Sequence, residues 1–297
     1  MDTTALPRIP PDQVKVSRSP GYWATVGRRI LADRVTLVCL VLLATIALAA
    51  VFADVLAPLD PLKTSMAKRL RPIGTPGFPL GTDELGRDIL SRLLYGGRMS
   101  LLMGSWPVAN ALVIGGTLGI VAGFFGGRLN MVIMRTVDVF YAFPSVLLAV
   151  AISGALGSGM KNAIVALTIV FVPPLVRIAE TVTTQVRNLD FVEAARASGA
   201  GSPTIIRVHL LPNVMGAIVV YASGLFSVSI ILASGLSFLG LGVEPPQAEW
   251  GLMLNTLRQA IYVQPWVAIL PGMMIFVTSI CCNLASDGLR AAMEIKQ

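Results

Sequence analysis

Charge is the first shortage in this chain. Only 13% of its 297 residues are charged, about half of the roughly 25% usual in a soluble globular chain. Mean hydropathy is +0.75, and several uncharged runs exceed the roughly 20 residues needed to cross a bilayer. The chain therefore reads as an all-α polytopic membrane protein. Histidine is nearly absent, with 1 in the whole sequence, which excludes a histidine metal cluster within a monomer. The 3 cysteines, Cys39, Cys281 and Cys282, sit in hydrophobic runs without a CxxC spacing. They read as packing residues rather than disulfide or metal ligands. No Gly-x-x-x-x-Gly-Lys-Ser/Thr loop and no HExxH motif occurs, so ATP hydrolysis by that route is excluded. Serine-rich spans raise an intramembrane serine hydrolase as a rival. Its only histidine base, His209, belongs to a water-compatible segment far in topology from any mid-membrane serine. The chain is thus expected to be no enzyme and to hold no cofactor or metal itself. The net charge of +7 is what cytoplasmic loops of such proteins carry, so no nucleic-acid partner is read from it.

What is present divides into five stretches. Residues 1–32 form a polar, basic tail (Arg8, Lys15, Arg18, Arg28, Arg29), and 33–57 hold a first, uncleaved span. Residues 58–97 leave the membrane, with Pro58, Pro61, Pro72, Pro76 and Pro79 forbidding long helix. Within them Ile89, Leu90, Leu93 and Leu94 share one helical face opposite Asp88, Ser91 and Arg92, which predicts an interfacial helix lying on the bilayer. Gly86, Gly96 and Gly97 fit hinges, and Gly86, Arg87 and Asp88 are candidates for a gate or a docking interface.

Residues 98–287 supply five more spans. Gly115, Gly119 and Gly123 form a small-xxx-small ladder that lets a neighbouring helix approach closely. Arg128 and Arg135 bracket a short loop, after which a third span opens, kinked at Pro144. Arg135 and Asp138, three residues apart, are expected to pair as interfacial ions, with substrate contact as the alternative. Gly154 to Gly159 makes an external turn, and Pro173-Pro174 interrupt the fourth span. Trp250, Tyr262 and Trp266 fit an aromatic belt. Residues 288–297 form a C-terminal tail. Both termini are expected in the cytoplasm, because outside the long Pro58–Arg98 segment the external loops hold only Lys161 and Arg258.

The longest water-compatible, helix-competent run in the second half is the loop 188–213. Asp190 is placed to cap a helix, with Glu193 at N3, and Ala194, Ala195, Ala197 and Ser198 make it slim. Gly199 stops it, Ser202-Pro203 restart a second short helix, and Pro212 ends that one. Two short helices at an angle are expected, with an alanine face fit to enter a cleft on another protein.

Glu193-Ala194-Ala195, Gly199 and the Leu210-Leu211-Pro212 ending resemble the EAA loop of type I ABC importer permeases. The Gly81-Thr-Asp83 to Leu101 stretch is similar to the C-type subunits of dipeptide, oligopeptide and nickel importers, as are Arg135–Ser145, Ser237–Gly251 and Asp287–Arg290. The resemblance implies a six-helix permease fold and a bacterial cytoplasmic membrane. It implies a second homologous permease subunit, two ATP-binding subunits that use ATP and Mg, and an extracytoplasmic solute-binding protein. Glu193, Ala194, Ala195, Gly199, Leu211 and Pro212 would then couple to the ATPases, whose closure tilts the fourth and fifth spans. Peptides are the implied solutes, with nickel or glutathione-like compounds as the alternative. A secondary transporter, which needs titrating groups mid-membrane, and a non-transporting scaffold are the rivals.

Overall fold

The computed structural model describes residues 22–293, so Arg8, Lys15, Arg18 and residues 294–297 of the two tails lie outside it. Helix α1 (Tyr22–Ala32) occupies the end of the segment read as a tail. Asp33 separates it from α2 (Arg34–Val51), the first span. The Asp33 carboxylate accepts from the Thr36 hydroxyl and from the Val35 amide at 3.1 Å, satisfying donors that a helix start leaves open. That hydroxyl bond also holds its pKa below the usual value. A single turn, α3 (Ala53–Leu56), leads into the proline-rich stretch, where only the 3-10 turn Met66–Lys68 is helical.

Helix α4 (Ile89–Phe125) has 37 residues and is therefore about 55 Å long. Its first turns are the stretch expected to lie on the bilayer with the apolar face in lipid, and they are packed inside protein instead. Asp88, Ser91 and Arg92 are buried inside protein, as are Ile89 and Leu93. The polar face turns inward, where protein groups bond Ser91, Arg92 and one Asp88 oxygen, and Asp88 Oδ1 is left without a partner among the described residues. Asp88 Oδ2 accepts from the Ser91 amide at 2.8 Å and hydroxyl at 2.6 Å, capping the helix.

No loop lies between Arg128 and Arg135, because α5 (Gly127–Tyr141) begins directly after Gly126, which stands at φ 65°. Helix α6 (Ser145–Leu156) follows at 89° to α5. The third span is thus a broken pair, not a kinked helix. Pro144 donates no amide hydrogen and starts α6 afresh. Helix α7 (Met160–Arg187) runs without a break through Pro173 and Pro174. The carbonyls they free do not interrupt it, since α4, α6 and α10 pack along it. After α8 (Asp190–Ala197) and the turn α9 (Ser202–Thr204), a π-helical segment, Ile205–Leu210, passes straight into α10 (Leu211–Phe238). A connecting segment then carries α11 (Trp250–Thr256) and leads to α12 (Pro265–Met293). Among the described residues, five helices are long and apolar enough to span a bilayer, or six if the bent pair α5/α6 counts as one span.

The core lies along α4, α7 and α10, where Met103, Leu167, Leu175, Val214 and Ile218 are fully shielded. The α4–α7 contact follows the glycine ladder. A Cβ on Gly115 would lie 2.8 Å from the Val172 carbonyl oxygen, on Gly119 2.4 Å from that of Val176, and on Gly123 2.7 Å from that of Glu180. Only glycine lets two helix backbones meet at that spacing. Val35, Val38, Val41 and Leu48 of α2 remain exposed, an outer face suited to lipid. Cys39, Cys281 and Cys282 are buried and unbridged.

Candidate functional site

The loop 188–213 forms an elbow at one end of the bundle. Helix α8 is capped one residue earlier than its acidic residue implies. Leu189 is the N-cap and makes no side-chain cap bond, while Asp190 is the first helical residue. Asp190 and Glu193 still put negative charge on the first turn, where the helix dipole favours it. The exit matches expectation closely. The Gly199 amide donates to the Arg196 carbonyl at 3.0 Å and the Ala200 amide to that of Ala195 at 3.1 Å, a Schellman closure. Gly199 has φ +83°, and a Cβ at this position would meet nothing within 4 Å. Its role is purely conformational.

Glu193 and Ala194 are exposed, Ala195 is half-buried, and Val192 is the buried residue of α8. It packs with Ile205, Leu210 and Phe124. Pro212 does not end the second elbow helix. Leu211 donates to the Ile206 carbonyl, five residues back, and the Asn213 amide side chain donates to the His209 carbonyl at 2.6 Å. The widened turn absorbs the missing proline donor. His209 stacks loosely on Phe191 at 6.3 Å between centroids.

The opposite end of the bundle carries a buried polar cap. Asp83 accepts at Oδ1 from the Leu85 and Arg87 amides, both at 2.9 Å, and at Oδ2 from Arg87 Nε at 2.6 Å. Arg92 Nε lies 3.5 Å from the same oxygen. Its guanidinium reaches the carbonyls of Pro61 at 3.3 Å, and of Pro246 and Gln247 at 3.4 Å. Arg92 thus ties the proline-rich segment to the connection after α10. Gly86, Gly96 and Gly97 stand at close contacts. A Cβ on Gly86 would meet the Ser65 backbone, and on Gly96 and Gly97 the Trp250 ring at 3.3 and 3.2 Å. Trp250 is fully buried, donating Nε1–H to the Leu93 carbonyl at 3.0 Å, and so takes no part in an aromatic belt. Tyr262 and Trp266 are exposed, as a belt requires. Glu249 accepts from the Gly251 and Leu252 amides and from the Ser100 hydroxyl. Burial pushes its carboxyl pKa upward despite those bonds.

Between the two ends, Asp138 pairs with Arg177 of α7 at 2.7 Å, not with Arg135. Helix α5 packs against α7, which brings the two charges together from 39 positions apart. Arg177 also lies over the Tyr141 ring at 4.5 Å. Nearby, Phe140, Phe143, Phe171, Pro173 and Pro174 line an apolar cavity of about 220 Å³. Among the described residues no group of three or more metal-ligating side chains forms. Residue order alone does not reveal Phe124, Arg187 and Glu249. Each acts through partners distant in sequence or through burial, and no local spacing marks them.

The family model of the binding-protein-dependent transport system inner membrane component matches residues 115–295, which include the elbow. That of the N-terminal transmembrane domain of oligopeptide transport permease C matches residues 21–72. The chain is 40% identical over 291 residues to the glutathione transport system permease protein GsiD of Pectobacterium atrosepticum, covering 98% of this chain and 96% of that one. It is 44% identical over 252 residues to the di/tripeptide transport system permease protein DppC of Pseudomonas aeruginosa, covering 83% of each. It is 38% identical over 288 residues to the dipeptide transport system permease protein DppC of Alkalihalophilus pseudofirmus, covering 97% and 93%. A chain of the inward-facing MetNI methionine ABC transporter superposes with a TM-score of 0.55 at 22% identity, covering 66% of this chain and 94% of that one. That likeness concerns the fold.

Proposed function

The chain belongs to the binding-protein-dependent transport system inner membrane components, and from that premise we propose that it is one permease of an ATP-driven importer of short peptides. Glutathione, itself a γ-linked tripeptide, falls within that solute class, and relatives named for both glutathione and dipeptides match almost the whole chain. The assembly holds a second homologous permease, two ATP-binding subunits on the cytoplasmic side and an extracytoplasmic binding protein, in a bacterial inner membrane with both termini of this chain inside. This chain binds no nucleotide; the partners use ATP and Mg.

One observation carries the reading. Helix α8 is stiff, closed by its own Schellman bonds, and presents Glu193 and Ala194 outward while a single buried side chain, Val192, seats it. A slim, exposed helix fixed to a bundle end is shaped to enter a cleft on a partner and to be pushed by it. When the ATPases close, α8 moves with them, and the path between the two permeases switches from inward-facing to outward-facing. Solute then arrives from the binding protein. A soft loop would absorb that displacement. In this reading the cap that holds Gly86, Arg87 and Asp88 faces the binding protein, and Arg135 and Asp138 lie on α5.

The test is copurification and vesicle uptake of radiolabelled dialanine with glutathione as competitor. Wild-type chain should copurify with ATP-binding subunits and support ATP-dependent uptake. Glu193→Lys and Gly199→Val should insert normally, yet import less per ATP hydrolysed. Uptake driven by a proton gradient without ATPases would replace this reading with a secondary transporter.

A further inference from the structure

The elbow is not joined to the bundle only through the helices that flank it in sequence. It also packs on the last turn of α4, more than 60 residues earlier, through Phe124. Arg187, the final residue of α7, donates through Nη1 to the Gly123 carbonyl at 3.0 Å and the Phe124 carbonyl at 3.1 Å. These are carbonyls that the end of a helix leaves without intrahelical donors, and the positive charge also meets the negative end of the α4 dipole. Gly126 leaves room for the guanidinium, since a Cβ there would lie 2.8 Å from Nη1. One turn above, Asn130 of α5 donates to Glu180 Oε1 at 2.7 Å and to the Ala122 carbonyl at 3.3 Å, tying α4, α5 and α7 together. The Phe124 side chain is seated among Val192 of α8, Ile205 and Leu210.

We propose that Phe124 and Arg187 are positioning residues forming the joint through which displacement of α8 enters the membrane core, and that α4 and α7 are driven as one body. This rests on the reading that α8 meets the ATPases. It adds α4 to the fourth and fifth spans, α7 and α10, which are expected to tilt. The route from α8 to α10 passes through the π-helical segment Ile205–Leu210, the kind of widened turn that marks a hinge. The route to α4 is short and stiff by comparison. One side chain of α8 packs on Phe124, two residues of chain separate α8 from Arg187, and Arg187 grips the α4 terminus. Beyond the joint the glycine ladder stops α4 and α7 from sliding, because each rung interlocks backbone with backbone. Force applied to the elbow therefore arrives in both helices at once.

The complete complex, with its ATP-binding subunits and binding protein in proteoliposomes, provides the test. Phe124→Ala and Arg187→Gln are compared with the conservative Phe124→Leu and Arg187→Lys for dialanine imported per ATP hydrolysed. Phe124→Ala and Arg187→Gln should copurify with the ATPases at wild-type yield and still hydrolyse ATP. Import per ATP should fall about tenfold, the scale of coupling through a packed network. Phe124→Leu and Arg187→Lys should recover most of it. An unchanged ratio in both disruptive variants overturns the joint. So does a parallel loss of import and ATPase copurification at constant ratio, which marks a merely structural contact. Failure of the underlying reading is distinct: the wild-type chain itself would not crosslink from Ala195 to an ATP-binding subunit.

Discussion

Gly119 is the tightest rung of the ladder between α4 and α7, and replacing it with alanine gives a quantity to test. The added Cβ would lie 2.4 Å from the Val176 carbonyl oxygen and 2.6 Å from the Ala179 Cβ, where ordinary contact begins at 3.4 Å. The two helices must therefore part by about 1 Å, and the obstacle is backbone, which no rotamer change relieves. Overpacking of this kind costs about 1–3 kcal/mol, and the rigid neighbour places Gly119→Ala near about 3 kcal/mol. Alanine returns about 1 kcal/mol through its better helix propensity, leaving about 2 kcal/mol net. For a chain of this size that corresponds to a Tm lower by about 3 °C. Thermal unfolding of the purified subunit in mild detergent reads the shift directly. Gly116, on the same helix, is the control, since its nearest neighbour would be Ile218 at 4.0 Å. Gly116→Ala should melt at or slightly above wild type. A Gly119→Ala protein melting within a degree of wild type, or a Gly116→Ala protein falling as far, would refute the ladder as the reason the helices meet.

The polar cap at the other end yields two further expectations. Arg92→Leu removes a guanidinium that is 1% exposed and leaves Asp83 and three carbonyls short of a donor. Asp83 keeps its Arg87 partner, so a loss of about 1–3 kcal/mol is expected, for the carbonyls left without a donor. Trypsin cleavage at Lys63 and Lys68 should accelerate, and wild-type resistance in the variant would contradict the tie. Glu249 has its pKa raised above 4.5, chiefly by burial. The folded state then holds its proton more tightly than the unfolded state. The associated stability is complete below pH 4.5 and is lost as pH rises through the folded value. Glu249→Gln should flatten the decline in Tm on raising pH from 4.5; an identical slope in both proteins would assign the dependence elsewhere.

The sequence carries parts of this architecture in plain view. Four-residue glycine spacing means close approach wherever a helix occurs, so the ladder is legible, though its partner α7 is not. Gly199 after an alanine-rich turn leaves one conformation for the helix exit, and the structure has it at φ +83°. Faces are harder. The amphipathic pattern of Ile89–Leu94 separates two sides of a helix but does not say what covers each. The pattern alone predicts lipid against the apolar side, whereas protein covers Asp88, Ser91 and Arg92. Pro173 and Pro174 read as an interruption because a proline's effect depends on neighbouring helices, which a linear reading does not include. Spacing offers Asp138 a local partner three residues away, while the fold supplies Arg177 across a helix interface. Glu193, Ala194 and Ala195 fall on α8, but its anchorage on Phe124 depends on a contact 68 positions long, from 124 to 192.

Helix α4 begins under the Arg92 tie and ends at the Arg187 clasp, so one continuous rod reaches from the polar cap at one end of the bundle to the elbow at the other. A rod gripped at both ends obliges its two faces to trade influence evenly. If a docked binding protein favours one tilt by some factor, nucleotide-closed ATPases that favour the same tilt must tighten that docking by an equal factor. The outer partner's affinity is then a gauge of the state of the inner one, readable without measuring transport at all.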